Sequence, residues 1–262
     1  MPSLTKRIAC GVEYFGFNYS GWQSQQQSSS VQDHIETAIS TVANEPIRIF
    51  ASGRTDAGVH AKCQVFHFDT KSNRTPSEWL YGVNSHLPDD INIIWVKGVV
   101  QEFDARYSAI SRTYQYLIVN QKINDVFLIN HALWVPYNLD INLMQQAARH
   151  FHGEHDFTSF RSSSCQARSP TRTISTLNIK QSNQRILIQC TANAFLQHMV
   201  RNIVGTLIDI GEGVLSPESI PIILDSKDRI KSGKTASSSG LYLVGIDYPG
   251  KFQLPHSEFK VR

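Results

Sequence analysis

Apolar residues alternate with others at Ile8, Cys10, Val12 and Tyr14, the period-two pattern of a strand. Ser24 to Ser30 is rich in Gln and Ser and predicts an exposed loop. The period then changes. Val31, Ile35, Ala38, Ile39 and Val42 form a helical stripe, and Ser30 with Asp33 provides a capping pair at its start. Ile47 to Phe50 predicts a short strand, Gly53 to His60 a loop, and Gln64 to Phe68 a further strand. Thr75-Pro76-Ser77-Glu78 joins a cap residue, a proline at the first helical position and a carboxylate at the third. That helix should end before Leu87-Pro88, and Ile91 to Val100 returns to strand. The order is β-α-β-β-α-β.

The order recurs downstream. Arg112 to Val119 alternates through Tyr114, Tyr116 and Ile118, and a short apolar piece surrounds Leu133 to Val135. Asp140 caps a helix carrying Leu143, Met144, Ala147 and Phe151. Thr171 to Lys180 and Arg185 to Thr191 predict a hairpin turning near Ser182-Asn183. Leu196, Met199, Val200, Ile203, Val204 and Leu207 mark one face of a long helix. Ser216-Pro217 should open a short helix, and Leu241 to Asp247 a closing strand. The expected fold class is α+β, two split β-α-β (ferredoxin-like) units in tandem. The expected domains are 1–105 and 106–262, meeting near Phe103 to Ala109. The duplication is one of element order, with no residue-level repeat. Such a unit hosts many functions, so the site must decide among them.

Composition narrows the field modestly. With 262 residues, 41% hydrophobic and 18% charged, the chain can bury a substantial core. No apolar run reaches membrane-spanning length, and the start, Met-Pro-Ser-Leu-Thr-Lys-Arg, lacks the apolar core of a signal segment. A cytoplasmic enzyme is expected. Cys10, Cys63, Cys165 and Cys190 are scattered, without the close pairs a zinc site requires, and are read as reduced thiols. A net charge of +3 is compatible with a polyanionic partner but does not identify one.

Candidate chemistry concentrates in Ala51-Ser52-Gly53-Arg54-Thr55-Asp56-Ala57-Gly58-Val59-His60-Ala61. Gly53 and Gly58 allow sharp turns, placing Asp56 at a loop tip with Arg54 two residues earlier. A carboxylate on a loop held by a sheet can serve as a nucleophile, and a nearby guanidinium keeps it ionised. An isolated Asp-Ala-Gly would be only a turn in which the aspartate bonds its own backbone. Tyr114 could stack on a base or pack in the core. Arg201 lies off the apolar stripe of its helix and, by spacing alone, is expected in water.

Other segments change that weighing. Gly53-Arg54-Thr55-Asp56-Ala57-Gly58-Val59-His60-Ala61 resembles the catalytic loop of the tRNA pseudouridine synthase A family. In the family's order there are also Gly21-Trp22-Gln23, Asn84 with Leu87-Pro88, Phe103 to Ala109, Arg112 to Tyr116, Gly153 to Arg161, Met199 to Gly205, and Gly240 to Leu243. The ordered set covers nearly the whole chain. One departure stands near the start: Tyr14-Phe15-Gly16 has Phe15 where the family pattern places an aspartate, and Tyr19 replaces a phenylalanine.

The resemblance implies a pseudouridine synthase-type mixed antiparallel sheet, helices on one side, and a central RNA-binding cleft. It implies Asp56 as nucleophile, Arg54 as the residue that helps extrude the base, Tyr114 against the target uracil, and Arg201 salt-bridged to Asp56. It further implies tRNA contacts from Arg74, from Phe103, Asp104, Ala105, Arg106 and Tyr107, and from Ser164, Cys165, Gln166, Ala167 and Arg168, with Leu241 as a pocket wall. The implied enzyme is a homodimer acting on the anticodon stem-loop, at positions 38, 39 and 40 of the tRNA. Isomerising uridine consumes no electrons, phosphate or metal, so no cofactor is expected; flipping the base costs about a few kcal/mol.

Two other motifs imitate known sites. Ser232-Gly233-Lys234-Thr235 imitates the end of a phosphate loop, but Asp228 stands where that loop needs glycine, so a surface turn is expected. His150, His152 and His155 lack a supporting acidic motif for a metal. The remaining alternative is a non-catalytic RNA-binding or tRNA-folding protein on the same scaffold.

Overall fold

The computed structural model describes residues 5–255. The first four residues, part of the start read above for a signal segment, lie outside it. Backbone contacts divide the chain into two compact units: residues up to Ile110 together with the chain from Leu243, and Ser111–Tyr242.

The first unit runs β1 (Lys6–Tyr14), α1 (Val31–Ala43), β2 (Phe50–Ala51), β3 (His60–Thr70), α2 (Pro76–Asn84) and β4 (Ile91–Val99). Strand β1 lies between β3 and β4, antiparallel to both, with Cys10 opposite Phe66 on one side and Val96 on the other. Both predicted helix starts are present. Ser30 Oγ accepts the Asp33 N–H at 3.2 Å. At α2, Glu78 N–H donates to Thr75 Oγ1 at 3.3 Å, and Thr75 N–H to the Glu78 carboxylate at 2.7 Å. Two orphan amides of the first turn are thereby satisfied.

The strand expected over Ile47–Phe50 shrinks to Phe50–Ala51. Helix α1 intercepts its backbone: Ile47 N–H donates to Ser40 Oγ at 2.9 Å and Ile49 N–H to Glu36 Oε1 at 3.0 Å. Those amides find side-chain partners instead of a ladder. The core gathers Ala9, Cys63, Val65, Phe103, Ala105 and Phe252. On the other face of β3, Phe68 lies edge-on to Trp79 at 5.3 Å between centroids.

The second unit contains β5 (Ser111–Asn120), β6 (Leu133–Val135), α3 (Ile141–Arg149), β7 (Gly153–Asp156), β8 (Thr171–Ser182), β9 (Arg185–Ala192), α4 (Met199–Gly211) and α5 (Ser219–Ser226). It also holds the first residues of β10 (Leu241–Asp247). Its strands order β5-β9-β8-β7, all antiparallel, while β6 joins β5 in parallel. The hairpin turn falls at Asn183, at φ 53°, a left-handed angle that asparagine tolerates.

Three expectations change. Leu196 precedes the long helix, which starts only at Met199 because His198 takes φ 63°. Helix α5 starts at Ser219, two residues past Ser216-Pro217. The buried pair Ser232 and Gly233 is no surface turn: Gly233 N–H donates to Thr206 Oγ1 of α4 at 2.8 Å, leaving only Lys234 exposed. Among the described residues, no helix is long and apolar enough to cross a membrane, and no three His, Cys, Asp or Glu side chains gather as a metal site. Cys10, Cys63, Cys165 and Cys190 are in no disulfide among the described residues.

Two groups in the first unit make it acid-labile. Buried His67 accepts the Ala105 N–H on Nδ1 at 3.1 Å, and burial holds its pKa below the usual imidazole value, with Asp104 opposing. Its stabilising effect is complete above about pH 6.5, the ordinary value, and is lost as pH falls towards the lower folded value. Asp69 is held below the usual carboxylate range by its hydrogen bonds from Arg7, at 2.8 and 2.7 Å. That contribution is lost lower still, as pH falls through the depressed carboxyl value, and is under about 1 kcal/mol because the pair is partly exposed. The melting temperature should therefore drop from about pH 7 to 5, and His67→Asn, which retains an acceptor for Ala105, should flatten that drop. An unchanged slope in the variant would remove His67 as its cause.

Candidate active site

The loop between β2 and β3 is fixed from behind. Trp22 N–H donates to Thr55 O at 3.1 Å, Gly58 N–H to Tyr19 O at 3.3 Å, and Val59 N–H back to Asp56 O at 3.1 Å. The Tyr14 hydroxyl meets Thr55 Oγ1 at 2.8 Å. Gly58 sits at φ 75° and Gly21 at φ 93°; a Cβ on Gly21 would lie 2.6 Å from Thr55 O. Glycine is required at both by angle, and at Gly21 also by space. Gly53, expected to act alike, is not among the positive-φ glycines, and a Cβ there would meet open space. Thr55 is thus buried, Asp56 half-buried at the tip, and Arg54 exposed. Thr55, Gly58 and Val59 are tied down around the half-buried Asp56.

Arg74 is exposed just ahead of α2, with Nε donating to Val42 O at 3.3 Å. It lines an open groove of about 480 Å³ with Thr41, Val42 and Tyr81. In the segment 103–107, Phe103 and Ala105 are fully buried, whereas Arg106 and Tyr107 are exposed. Half-buried Asp104 accepts the N–H groups of Arg106 and Tyr107, both at 2.8 Å, which turns their side chains outward. The two buried residues offer RNA no surface; alternation along the chain commits them to the core.

The second unit carries the remaining candidates. Tyr114 on β5 is half-buried, its ring edge-on to Phe195 at 5.1 Å. Tyr116, two residues along the same strand face, is buried; burial raises its pKa, and the Arg201 charge works against that rise. Arg201, expected in water, is half-buried on α4. Its Nε donates to Ala236 O at 2.8 Å, while Ala236 N–H returns a bond to Arg201 O at 3.1 Å. Spacing gave no sign of this, because the partner is a backbone carbonyl far along the chain.

Arg229, to which the sequence assigned no role, secures that support. Its Nη2 reaches Asn202 Oδ1 at 3.0 Å and Thr235 Oγ1 at 2.9 Å, and Nη1 reaches Gly233 O at 3.0 Å. Ser164, Gln166 and Arg168 are exposed and Cys165 and Ala167 half-buried; Ser164 Oγ donates to Gln197 Oε1 at 3.2 Å. Leu241 is buried at the start of β10.

Comparison with known proteins gives this arrangement its class. A family model described as tRNA pseudouridine synthase matches residues 11–108 and 147–249. A protein of Shewanella sediminis named tRNA pseudouridine synthase A is 50% identical over 249 residues, 95% of each chain. Relatives of the same name from Pseudoalteromonas atlantica and Coxiella burnetii are 49% and 46% identical, again over 95% of each chain. The chain belongs to the tRNA pseudouridine synthase family. It is an isomerase that converts uridine to pseudouridine.

Proposed function

We propose that the chain modifies uridines in the anticodon stem-loop of tRNA, at positions 38, 39 and 40, with Asp56 as nucleophile. The observation that carries this is the Asp56 loop itself, held at Thr55, Gly58 and Val59 around one half-buried aspartate. In the reaction the N1–C1′ bond of the nucleoside breaks, the uracil turns, and a C5–C1′ bond forms. C5 gives up its proton and N1 gains one, so no electrons are exchanged. Arg54, exposed beside Asp56, fills the place of the extruded base. Tyr114 receives the uracil on its ring, and Arg201 pairs with Asp56 to keep it ionised.

Arg74, Arg106, Tyr107 and the exposed members of 164–168 supply tRNA contacts, with Asp104 shaping the turn that presents two of them. Phe103 and Ala105 act by anchoring that turn. Leu241 closes the pocket wall. The working form is a cytoplasmic homodimer in which one tRNA meets both subunits, and no cofactor takes part.

Tritium release from tRNA labelled at uracil C5 tests the reading, since C5 must lose its hydrogen. Wild-type protein should release it. With Arg54→Ala, tRNA binding should persist while release falls roughly 100-fold, the scale of a lost positioning group. No release from tRNA labelled only at positions 38, 39 and 40 would place the modified uridines elsewhere in the tRNA. Equal losses in binding and release would reduce Arg54 to an electrostatic anchor.

A further inference from the structure

The segment behind the catalytic loop contains a contact to which the reaction assigns no role. His60, the first residue of β3, is 1% exposed. Its Nδ1 accepts the Gly16 N–H at 3.0 Å. A ring nitrogen that accepts carries no proton, so this imidazole holds its hydrogen on Nε2. Phe15 lies flat on the same ring, centroids 4.5 Å apart and planes 6° from parallel. Gly16 then passes so close to Val59 that a Cβ would sit 1.9 Å from the Val59 carbonyl oxygen. Phe15 N–H is itself tied to Asp90 O at 2.9 Å, so the stacking ring projects from a fixed backbone.

These contacts share one consequence. Val59 N–H closes the turn onto Asp56 O at 3.1 Å, and His60 is the next residue. The register between 14–22 and the loop is thus set at the loop's C-terminal end by a stacked ring and one N–H···N bond. We infer that His60, clamped between Phe15 and the Gly16 amide, is a positioning residue that fixes where the Asp56 carboxylate points. This rests on Asp56 being the nucleophile. The same contact gives Phe15 a task that its apolar ring performs and that an aspartate at that place could not perform by stacking.

Displacing a reacting group by about 1 Å costs roughly 100-fold in turnover without weakening binding. A positioning role therefore predicts a split between kcat and KM. His60→Leu fills similar space but accepts no hydrogen bond; kcat should fall between about 10- and 100-fold with KM for tRNA within about 3-fold. His60→Asn sets an amide oxygen near the Nδ1 position and should recover most of that loss. Phe15→Leu should lower kcat several-fold at unchanged KM, and Phe15→Tyr should not.

Asp56→Ala is assayed alongside. If it retains turnover, the nucleophile reading fails, and this inference with it. If Asp56→Ala is inactive while His60→Leu and Phe15→Leu both turn over like wild type, only this inference fails. His60→Asn as poor as His60→Leu, with KM raised equally in both, would overturn it too. Should His60→Leu not fold, the Phe15 pair and His60→Asn decide by the same criteria.

Discussion

Asp56→Ala should leave a folded protein that binds tRNA and forms no detectable pseudouridine, with kcat down on the order of 10⁴-fold or more, as when other enzymes lose a nucleophile. Asp56 is half-buried, and the bonds made by the Trp22, Gly58 and Val59 amides and by the Thr55 hydroxyl do not involve its carboxylate. Stability should fall by about 1 kcal/mol, the centre of the range for single substitutions. Asp56→Asn keeps the shape and removes the charge and should be as inactive, because the amide is a poor nucleophile. Asp56→Glu keeps the charge but moves it by one methylene on a loop that hydrogen bonds hold at Thr55, Gly58 and Val59, and should retain roughly 1% of the rate. Tritium release under single-turnover conditions separates these cases. If Asp56→Asn approached the wild-type rate, neither nucleophilic nor basic chemistry could be placed at this residue.

The legibility of this molecule in its sequence follows the range of the interactions. The starts of α1 and α2 could be read because their caps are local, three residues from donor to acceptor. The turn at Asn183 could be read because a short polar side chain tolerates its angle. Longer-range events escaped. Glu36 and Ser40 take the amides of Ile47 and Ile49 away from strand pairing, and neither residue marks this in the pattern. The short strand β7 pairs with residues 171–174, near the far end of a loop, and has no alternating apolar signature of its own. The sequence pattern marks Gly53 and Gly58 alike as hinges, yet only Gly58 of the two takes a left-handed angle, and another belongs to Gly21, some thirty residues before the loop.

The candidate site divides in the same way. Its residue types could be read in the string around Asp56, but their environment could not. Arg201 was expected in water and instead donates to the Ala236 carbonyl, on a segment that Arg229 fastens to Asn202. Among the described residues the Arg229 guanidinium bonds neutral acceptors, and burial lowers its pKa. The cost of desolvating it is offset by several bonds that hold one loop against α4. Positioning groups of this kind carry no motif, because any backbone carbonyl can be the partner.

Gly16→Ala is the substitution expected to do most harm to the fold around the loop. The added methyl would lie 1.9 Å from Val59 O and 2.6 Å from Val59 C, both backbone atoms. A flexible side chain could swing aside, but here a strand terminus or the 14–22 segment must move. Overpacking of this kind costs about 3 kcal/mol, a fall on the order of 10 °C in melting temperature. The displacement falls on Val59, whose N–H holds Asp56 O, and on the Gly16 amide that His60 accepts. Turnover measured well below the melting transition should therefore drop on the order of 100-fold, while tRNA binding changes little. Gly53→Ala is the contrast: with open space around its Cβ, its stability should stay within about 0.5 kcal/mol of wild type. If both variants melted together with the wild type, the close approach of Gly16 to Val59 would not be holding the loop. If Gly16→Ala melted early yet turned over normally, the approach would serve the fold alone, and the position of Asp56 would be set by Thr55 and Gly58.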